Sequence, residues 1–200
     1  MSLLERNRFI VNQKAKLIEL TNEYAILDEE GNRIGMIRQE GQSTLKKLAR
    51  FVSSLDQFMT HTLAVYEEDG TKVVELTRPR KFMKSRLEVS DGLGAAVGTI
   101  AQENIVGKKR FSLTGSSGEA LGAINAENWR SWDFRIEDAL GSEVGRITKK
   151  WAGLGKEMFT SADNYVVEID DAATGPLRLL ALAAAAGVDT ALKQDAQGFN

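Results

Sequence analysis

The sequence predicts a mainly β-sheet domain, a closed barrel or a sandwich, with an apolar helix near its C-terminal end. Three observations carry this prediction. A glycine-containing motif recurs five times, short stretches of alternating hydrophobicity surround its copies, and residues 177–188 are almost entirely apolar. No segment has the composition of a linker, so we expect residues 1–200 to form a single domain.

The motif begins with a glycine, followed by two variable residues, an aliphatic residue, usually a second glycine, one variable residue and another aliphatic residue. The first glycines are Gly31, Gly70, Gly94, Gly118 and Gly141. Glycine beside Asp, Asn or Ser supplies the positive φ of a tight turn, so each copy predicts a β-hairpin. The second glycines, Gly35, Gly98, Gly122 and Gly145, lie in the outgoing strands, where they indicate a bulge or a close backbone approach.

Alternation with a period of two predicts many short strands at near-regular spacing. They cover residues 15–20, 24–28, 33–38, 61–67, 72–78, 86–90, 97–102, 110–114, 121–125, 132–137, 143–150, 157–160 and 164–169. This number of strands fits a barrel or a sandwich.

Two segments have helical rather than strand periodicity. Apolar residues at helical spacing in residues 43–55 predict one short amphipathic helix. A second helix is expected to begin near Thr174 and Gly175, with Pro176 in its first turn. This second helix is apolar on nearly every face and must be enclosed by protein. Its small residues Ala183–Ala186 favour a barrel whose lumen the helix fills.

The composition excludes several classes of active site. The chain has no cysteine, which excludes zinc–thiolate sites and thiol nucleophiles. It has one histidine, His61, so a Ser-His-Asp triad would have no other histidine to use. No group of residues suggests a chemical reaction, so we expect a protein that is not an enzyme and has no cofactor. The first residues are too charged for a signal peptide, which predicts a cytoplasmic protein. We expect this protein to be peripheral at the inner face of the membrane.

Two segments give the chain a family resemblance. The segment NAENWRSWDFRIED, and the segment WAGLGKEMFTSADNYVVEID before the apolar helix, resemble the phospholipid scramblase family in a short, bacterial-type form. The chain is also similar to the LURP-one-related proteins of plants, which share the Tubby C-terminal-like fold. The resemblance implies twelve antiparallel strands wrapped around the C-terminal helix. The proline-rich segment and cysteine cluster of animal scramblases have no counterpart here.

The resemblance also implies a calcium loop. It would fall on Ser161, Asp163, Tyr165, Val167, Ile169 and Ala172. Asp163 is the one carboxylate among these positions, and Asp170 and Asp171 follow nearby, so these three are the candidate metal ligands. Calcium takes six to eight oxygen ligands, and we interpret the segment instead as a turn followed by a buried strand.

Basic residues mark the candidate lipid-binding surface. The run RPRKFMKSR carries five cations and no acid, and a second run, KKR, follows after 21 intervening residues. The candidate residues are Arg78, Arg80, Lys81, Lys84, Arg86, Lys108, Lys109 and Arg110. Each cation at an anionic membrane surface contributes roughly 1 kcal/mol. The alternative is a solvated connection in which Phe82 and Met83 plug one end of the barrel.

The sequence therefore predicts a non-enzymatic, scramblase-like protein that associates with phospholipid or an anionic membrane surface. No segment lines a path for lipid headgroups, so scrambling itself is not expected. The alternative is a structural or protein-interaction module on the same barrel without lipid activity. A nucleic-acid-binding regulator is disfavoured, because stacking aromatic residues are not interleaved with the cations and the net charge is -2.

Overall fold

The computed structural model describes residues 2–12, 23–40, 61–79, 86–104, 107–128, 133–149 and 164–197. Twelve antiparallel strands form a closed barrel in which sequence neighbours pair and the first strand pairs with the last. The strands are β1 (Arg8–Asn12), β2 (Glu23–Leu27), β3 (Arg33–Glu40), β4 (His61–Glu67), β5 (Lys72–Arg78), β6 (Arg86–Asp91), β7 (Ala96–Gln102), β8 (Arg110–Gly115), β9 (Ala120–Asn128), β10 (Asp133–Asp138), β11 (Glu143–Thr148) and β12 (Asn164–Ile169). A 3-10 helix spans Leu3–Glu5, and helix α1 spans Gly175–Gln197. The predicted barrel is confirmed, and the sandwich is excluded.

The sequence located β2 to β12 but missed β1. The run RFIVN is only five residues long, and it becomes a strand by pairing with β2 on one side and β12 on the other. Such long-range pairing leaves no local signal. The predicted strands at 15–20 and 157–160, and the amphipathic helix at 43–55, lie outside the described residues.

Five turns of one design join successive strands. The first glycine of every motif copy has a φ between 83° and 88°, the left-handed region that glycine adopts without steric cost. In three turns an aspartate supports this geometry, because one carboxylate oxygen accepts hydrogen bonds from the backbone N–H groups two and four residues on. Asp28, Asp91 and Asp138 do this at 2.7–3.1 Å. The predicted hairpins are confirmed.

The second glycine of the motif lies next to a β-bulge in its own strand. The pairing register shifts beside Gly35, Gly98, Gly122 and Gly145 in their respective hairpins. A Cβ atom at these four positions would lie 2.0–2.6 Å from a carbonyl oxygen of the next strand. Both the bulge and the close approach indicated by the sequence are therefore present, and the glycines allow the wall to close.

Helix α1 fills the lumen. Residues Leu180–Ala186 are 0–7% exposed and belong to the same apolar cluster as inward side chains such as Phe9 and Phe134. A Cβ atom on Gly187 would lie 2.8 Å from Leu87 Cδ1, so helix and wall are in direct contact. The enclosure predicted from the apolar surface of the helix is confirmed.

The two ends of the barrel differ in their connections. All five tight turns lie at one end, the turn end, in segments 28–32, 67–71, 91–95, 115–119 and 138–142. The connections 13–22, 41–60, 79–85, 103–109, 129–132 and 149–163 join strands at the opposite end, the loop end.

The turn end is also where α1 begins. Leu3, 2% exposed, packs into the core beside Gly35. The Arg178 guanidinium donates hydrogen bonds to the backbone carbonyls of Leu4 and Arg6 and to the Asn7 side chain, and also to two carbonyls just before the helix. Arg178 therefore ties the start of α1 to the N-terminal segment.

Candidate functional site

Charge separates between the two ends of the barrel. The five turn segments contain nine acidic residues and no lysine or arginine. The six loop-end connections contain 14 lysines and arginines and five acidic residues. In a chain with a net charge of -2, the connections between strands thus divide by composition into a basic set and an acidic set. The sequence carries a signal for this arrangement. In an up-and-down barrel, tight turns after every second strand all lie at one end, so the longer connections must all lie at the other.

The fold brings the two predicted basic runs together. Connections 79–85 and 103–109 are neighbours at the loop end, because strands β5 to β8 are adjacent in the wall. Arg86, Lys108 and Arg110 are exposed there, and Lys109 is partly exposed. Arg80, Lys81 and Lys84 lie outside the described residues, within connection 79–85.

Arg78 differs from the other candidates. It is 4% exposed and follows Leu76 by two residues on the inward face of β5, so its guanidinium lies inside the barrel wall near the loop end. A lipid headgroup at the surface could not contact it in this arrangement. Strand alternation carries this signal in the sequence, since Val74, Leu76 and Arg78 share one face.

Asn104 shapes the connection that presents Lys108. Its side-chain amide donates to the Lys108 carbonyl, and its side-chain oxygen accepts from the Arg110 N–H at 2.9 Å. The Gln102 side chain donates to the Asn104 carbonyl at 2.8 Å. These bonds hold the backbone around Lys108, whose side chain extends into solvent.

Two further cations at the loop end have local partners. The Arg110 guanidinium is 2.8 Å from a Glu103 carboxylate oxygen, with both side chains about half exposed. The Lys149 ammonium lies 4.8 Å from the centre of the Tyr165 ring. The exposed ion pair of Arg110 with Glu103 is worth little, about 0–1 kcal/mol.

The candidate calcium ligands are separated along β12. Asp170 and Asp171 are exposed at the turn end, where Asp170 accepts from the Ala172 N–H and Asp171 from the Asn7 amide, each at 2.8 Å. Asp163 lies outside the described residues and directly precedes Asn164, the first residue of β12 at the loop end. An extended strand rises about 3.3 Å per residue, which places the two ends of β12 far beyond a shared coordination sphere. Within the described residues, no acidic or histidine cluster has the geometry of a metal site. The interpretation of this segment as a buried strand is confirmed for Asn164–Ile169, and this geometry does not support the calcium site that the resemblance implied.

A groove of about 550 Å³ crosses the outer wall near the turn end. Arg8 pairs with Glu29 at 2.9 Å and with Glu168 at 2.5 Å, and Arg146 pairs with Glu143 at 3.0 Å. Its carboxylates outnumber its arginines, so this groove does not present a net positive charge.

A third charged cluster lies on the wall around Tyr66. The Tyr66 hydroxyl donates to Glu40, while Arg38 and Lys72 lie 5.3 Å and 5.8 Å from the ring centre. Burial acts to raise the pKa of Glu40, but the hydrogen bonds from Tyr66 and Lys72 outweigh it and hold that pKa below its ordinary value of 4.5. The hydrogen bonds of Lys72 to Glu75 and Glu40 outweigh burial and raise its pKa. The cluster is internally neutralised and stabilises the wall.

Comparison with known proteins identifies relatives along most of the chain. The scramblase family model matches residues 1–192. A phospholipid scramblase family protein of Schizosaccharomyces pombe is 27% identical over 184 residues, which cover 82% of this chain and 46% of that protein. Altered inheritance rate of mitochondria protein 25 of Saccharomyces cerevisiae is 28% identical over 176 residues, covering 76% and 53% respectively.

A more distant human relative, phospholipid scramblase family member 5, is 21% identical over 186 residues, covering 84% of this chain and 66% of the human protein. The chain thus spans about half to two thirds of the length of the relatives it matches. No solved structure matches. Within the described residues, no helix combines the length and the hydrophobicity that crossing a bilayer requires.

Proposed function

Because the chain belongs to the scramblase family, we propose that it is a non-enzymatic phospholipid-binding protein that docks the loop end of its barrel on anionic membrane surfaces. One observation carries the proposal. Cations concentrate in the connections of the loop end, whereas the turn segments at the other end carry only acidic charge.

This asymmetry also gives the complex an orientation. An anionic surface attracts the loop end and repels the turn end, so the barrel axis is steeply inclined to the membrane plane. Cations within a Debye length of the surface, about 8 Å at physiological salt, contribute most of the attraction. Arg86, Lys108 and Arg110 are exposed cations among the described residues of the loop end, so the proposal assigns this role to them.

The proposal concerns binding and does not include a path for lipid through the barrel. Residues Leu180–Ala186 of α1 occupy the lumen, and Gly187 contacts the wall so closely that a methyl group there would meet Leu87. Within the described residues, the apolar side chains of the helix and the wall pack into one cluster there. Phospholipid therefore binds at the outer surface of the loop end.

Co-sedimentation with vesicles tests the proposal. The partition coefficient of the protein is measured on vesicles whose phosphatidylserine content rises from none to half, at low and at high salt. We expect binding that requires the anionic lipid and weakens with salt. The double variant Arg86→Ala/Lys108→Ala removes two exposed cations, which predicts a loss of about 2 kcal/mol, or roughly 30-fold in partitioning.

The matched control is Arg33→Ala, which removes an exposed arginine from the turn end. It should leave partitioning unchanged or strengthen it slightly. Equal losses for Arg33→Ala and Arg86→Ala would contradict docking by the loop end. Binding that is insensitive to lipid charge would contradict the electrostatic mechanism.

A further inference from the structure

A polar side chain is buried beneath the connection that carries Lys108. Gln102, the last residue of β7, is 5% exposed, and it pairs directly with Phe111 of the apolar core cluster. Burying an amide costs free energy unless the amide is hydrogen-bonded. The Gln102 amide donates to the Asn104 carbonyl at 2.8 Å, so a residue on the inward face of the wall supports the backbone of connection 103–109.

Asn104 extends this support to the cations. Its side chain donates to the Lys108 carbonyl and accepts from the Arg110 N–H at 2.9 Å. The neighbouring strand adds a bond from the other side, because the Ala126 N–H donates to the Lys109 carbonyl at 2.9 Å. The backbone at residues 108–110 is therefore held both by the connection itself and by β9.

The side chains on this backbone have different surroundings. The Arg110 guanidinium is 2.8 Å from Glu103, whose backbone N–H also donates to the Arg110 carbonyl at 2.9 Å. Lys108 is exposed, and within the described residues its ammonium group has no ion-pair partner. The connection thus presents the Lys108 ammonium to solvent on a backbone that its neighbours hold in place.

A held backbone favours binding, because a mobile loop must be ordered when it meets its ligand. Fixing the backbone of a single residue costs roughly 5- to 30-fold in an equilibrium constant. Exposed connections commonly carry such a cost, and order that exists before binding removes it. Asn104 supplies this order to the backbone around Lys108.

We propose that Asn104, supported by Gln102, is a positioning residue for phospholipid binding. It holds Lys108 where the ammonium meets the phosphate group of an anionic lipid. This role rests on the proposed docking by the loop end, and it gives an uncharged side chain a share of the affinity. Because Asn104 acts through Lys108, its removal costs no more than the removal of Lys108 itself, about fivefold for one cation at an anionic surface.

A double-mutant cycle, measured by co-sedimentation with vesicles of equal phosphatidylserine and phosphatidylcholine, tests this role. We expect Lys108→Ala to lower the partition coefficient about fivefold and Asn104→Ala to lower it by about two- to fivefold. The double variant should bind like Lys108→Ala alone. The matched control is Asn32→Ala, which removes an amide that donates to Asp28 at the turn end, and it should bind like the wild type.

Two measurements without lipid separate positioning from loss of the fold. Thermal melts establish that Asn104→Ala is folded, and in that variant the Arg110 N–H should exchange its hydrogen faster, while the amides of β2 keep their protection. The second variant, Gln102→Met, removes the donor to Asn104 but keeps the volume and suits the apolar surroundings. It should therefore keep its melting temperature and still bind vesicles more weakly.

The outcomes distinguish the positioning role from the docking on which it rests. If Lys108→Ala weakens binding but neither Asn104→Ala nor Gln102→Met does, docking stands and the positioning role is overturned. The role is also overturned if the two losses multiply in the double variant, or if Asn104→Ala leaves the exchange of the Arg110 N–H unchanged. If Lys108→Ala binds like the wild type, docking through this connection and the role of Asn104 fail together.

Discussion

Gly122 gives the sharpest prediction about how the barrel closes. In the structure its ideal Cβ position lies 2.0 Å from the carbonyl oxygen of Glu137 on the next strand. A real Cβ–oxygen contact needs more than 3 Å, so Gly122→Ala requires a displacement of about 1 Å between β9 and β10. The oxygen belongs to the backbone of Glu137, and the backbone fixes the position of the alanine Cβ. No side-chain rotation therefore relieves the clash.

The cost can be estimated from two contributions. Overpacking costs typically 1–3 kcal/mol, and the shift weakens at least one ladder hydrogen bond worth about 1 kcal/mol. We therefore expect Gly122→Ala to lower the free energy of unfolding by about 3 kcal/mol. For a chain of this size the melting temperature should fall by about 6–12 °C.

Chemical unfolding in guanidinium chloride, followed by circular dichroism, measures this change. The matched control is Gly118→Ala in the same hairpin, where φ is 87° but no atom lies within 4 Å of the Cβ position. Gly118→Ala carries only the cost of an alanine with left-handed backbone angles, about 1–2 kcal/mol. The close-approach argument is refuted if Gly122→Ala is no more destabilising than Gly118→Ala.

Two further predictions concern the polar contacts of the wall and the turn end. Arg178→Ala should lower the free energy of unfolding by about 3 kcal/mol, because partly buried carbonyls such as that of Arg6 lose their charged donors, and Arg178→Lys should recover part of the loss. Equilibrium unfolding that separates neither variant from wild type would contradict this. The pKa of Glu40 is lowered in the folded state, so its stabilising contribution is present above the unfolded pKa of about 4.5 and is lost as pH falls through the folded value. The free energy of unfolding should decrease below about pH 5, with a shallower slope in Glu40→Gln, and equal slopes would refute the assignment.

The sequence predicted those parts of the fold that have a local physical cause. Turn glycines such as Gly118 need a positive φ, and the second glycines need space for a neighbouring carbonyl, so both leave a signal at fixed spacing. β1 leaves no such signal, because its five residues become a strand only through partners more than ten and 150 residues away.

The candidate site was predictable only in those parts that have a local signal in the sequence. The basic runs were visible as composition, but their meeting at one end depends on the strand order. The assignment of Arg78 to the surface came from counting charge along the chain instead of following strand alternation from Leu76. Asp170 and Asp171 are close to Asp163 in the sequence, yet residues 164–169 between them form the extended strand β12.

The unequal ends of the barrel have a consequence for how this protein can diversify. The turn end is constrained in length and at key positions, since each five-residue turn requires its glycine and three of the five also use an aspartate. The connections at the loop end differ widely in length, from four to 20 residues. Substitutions and insertions can accumulate there without altering the wall, as binding loops vary on a rigid scaffold. Grafted peptides should therefore be tolerated at the loop end and rejected at the turn end.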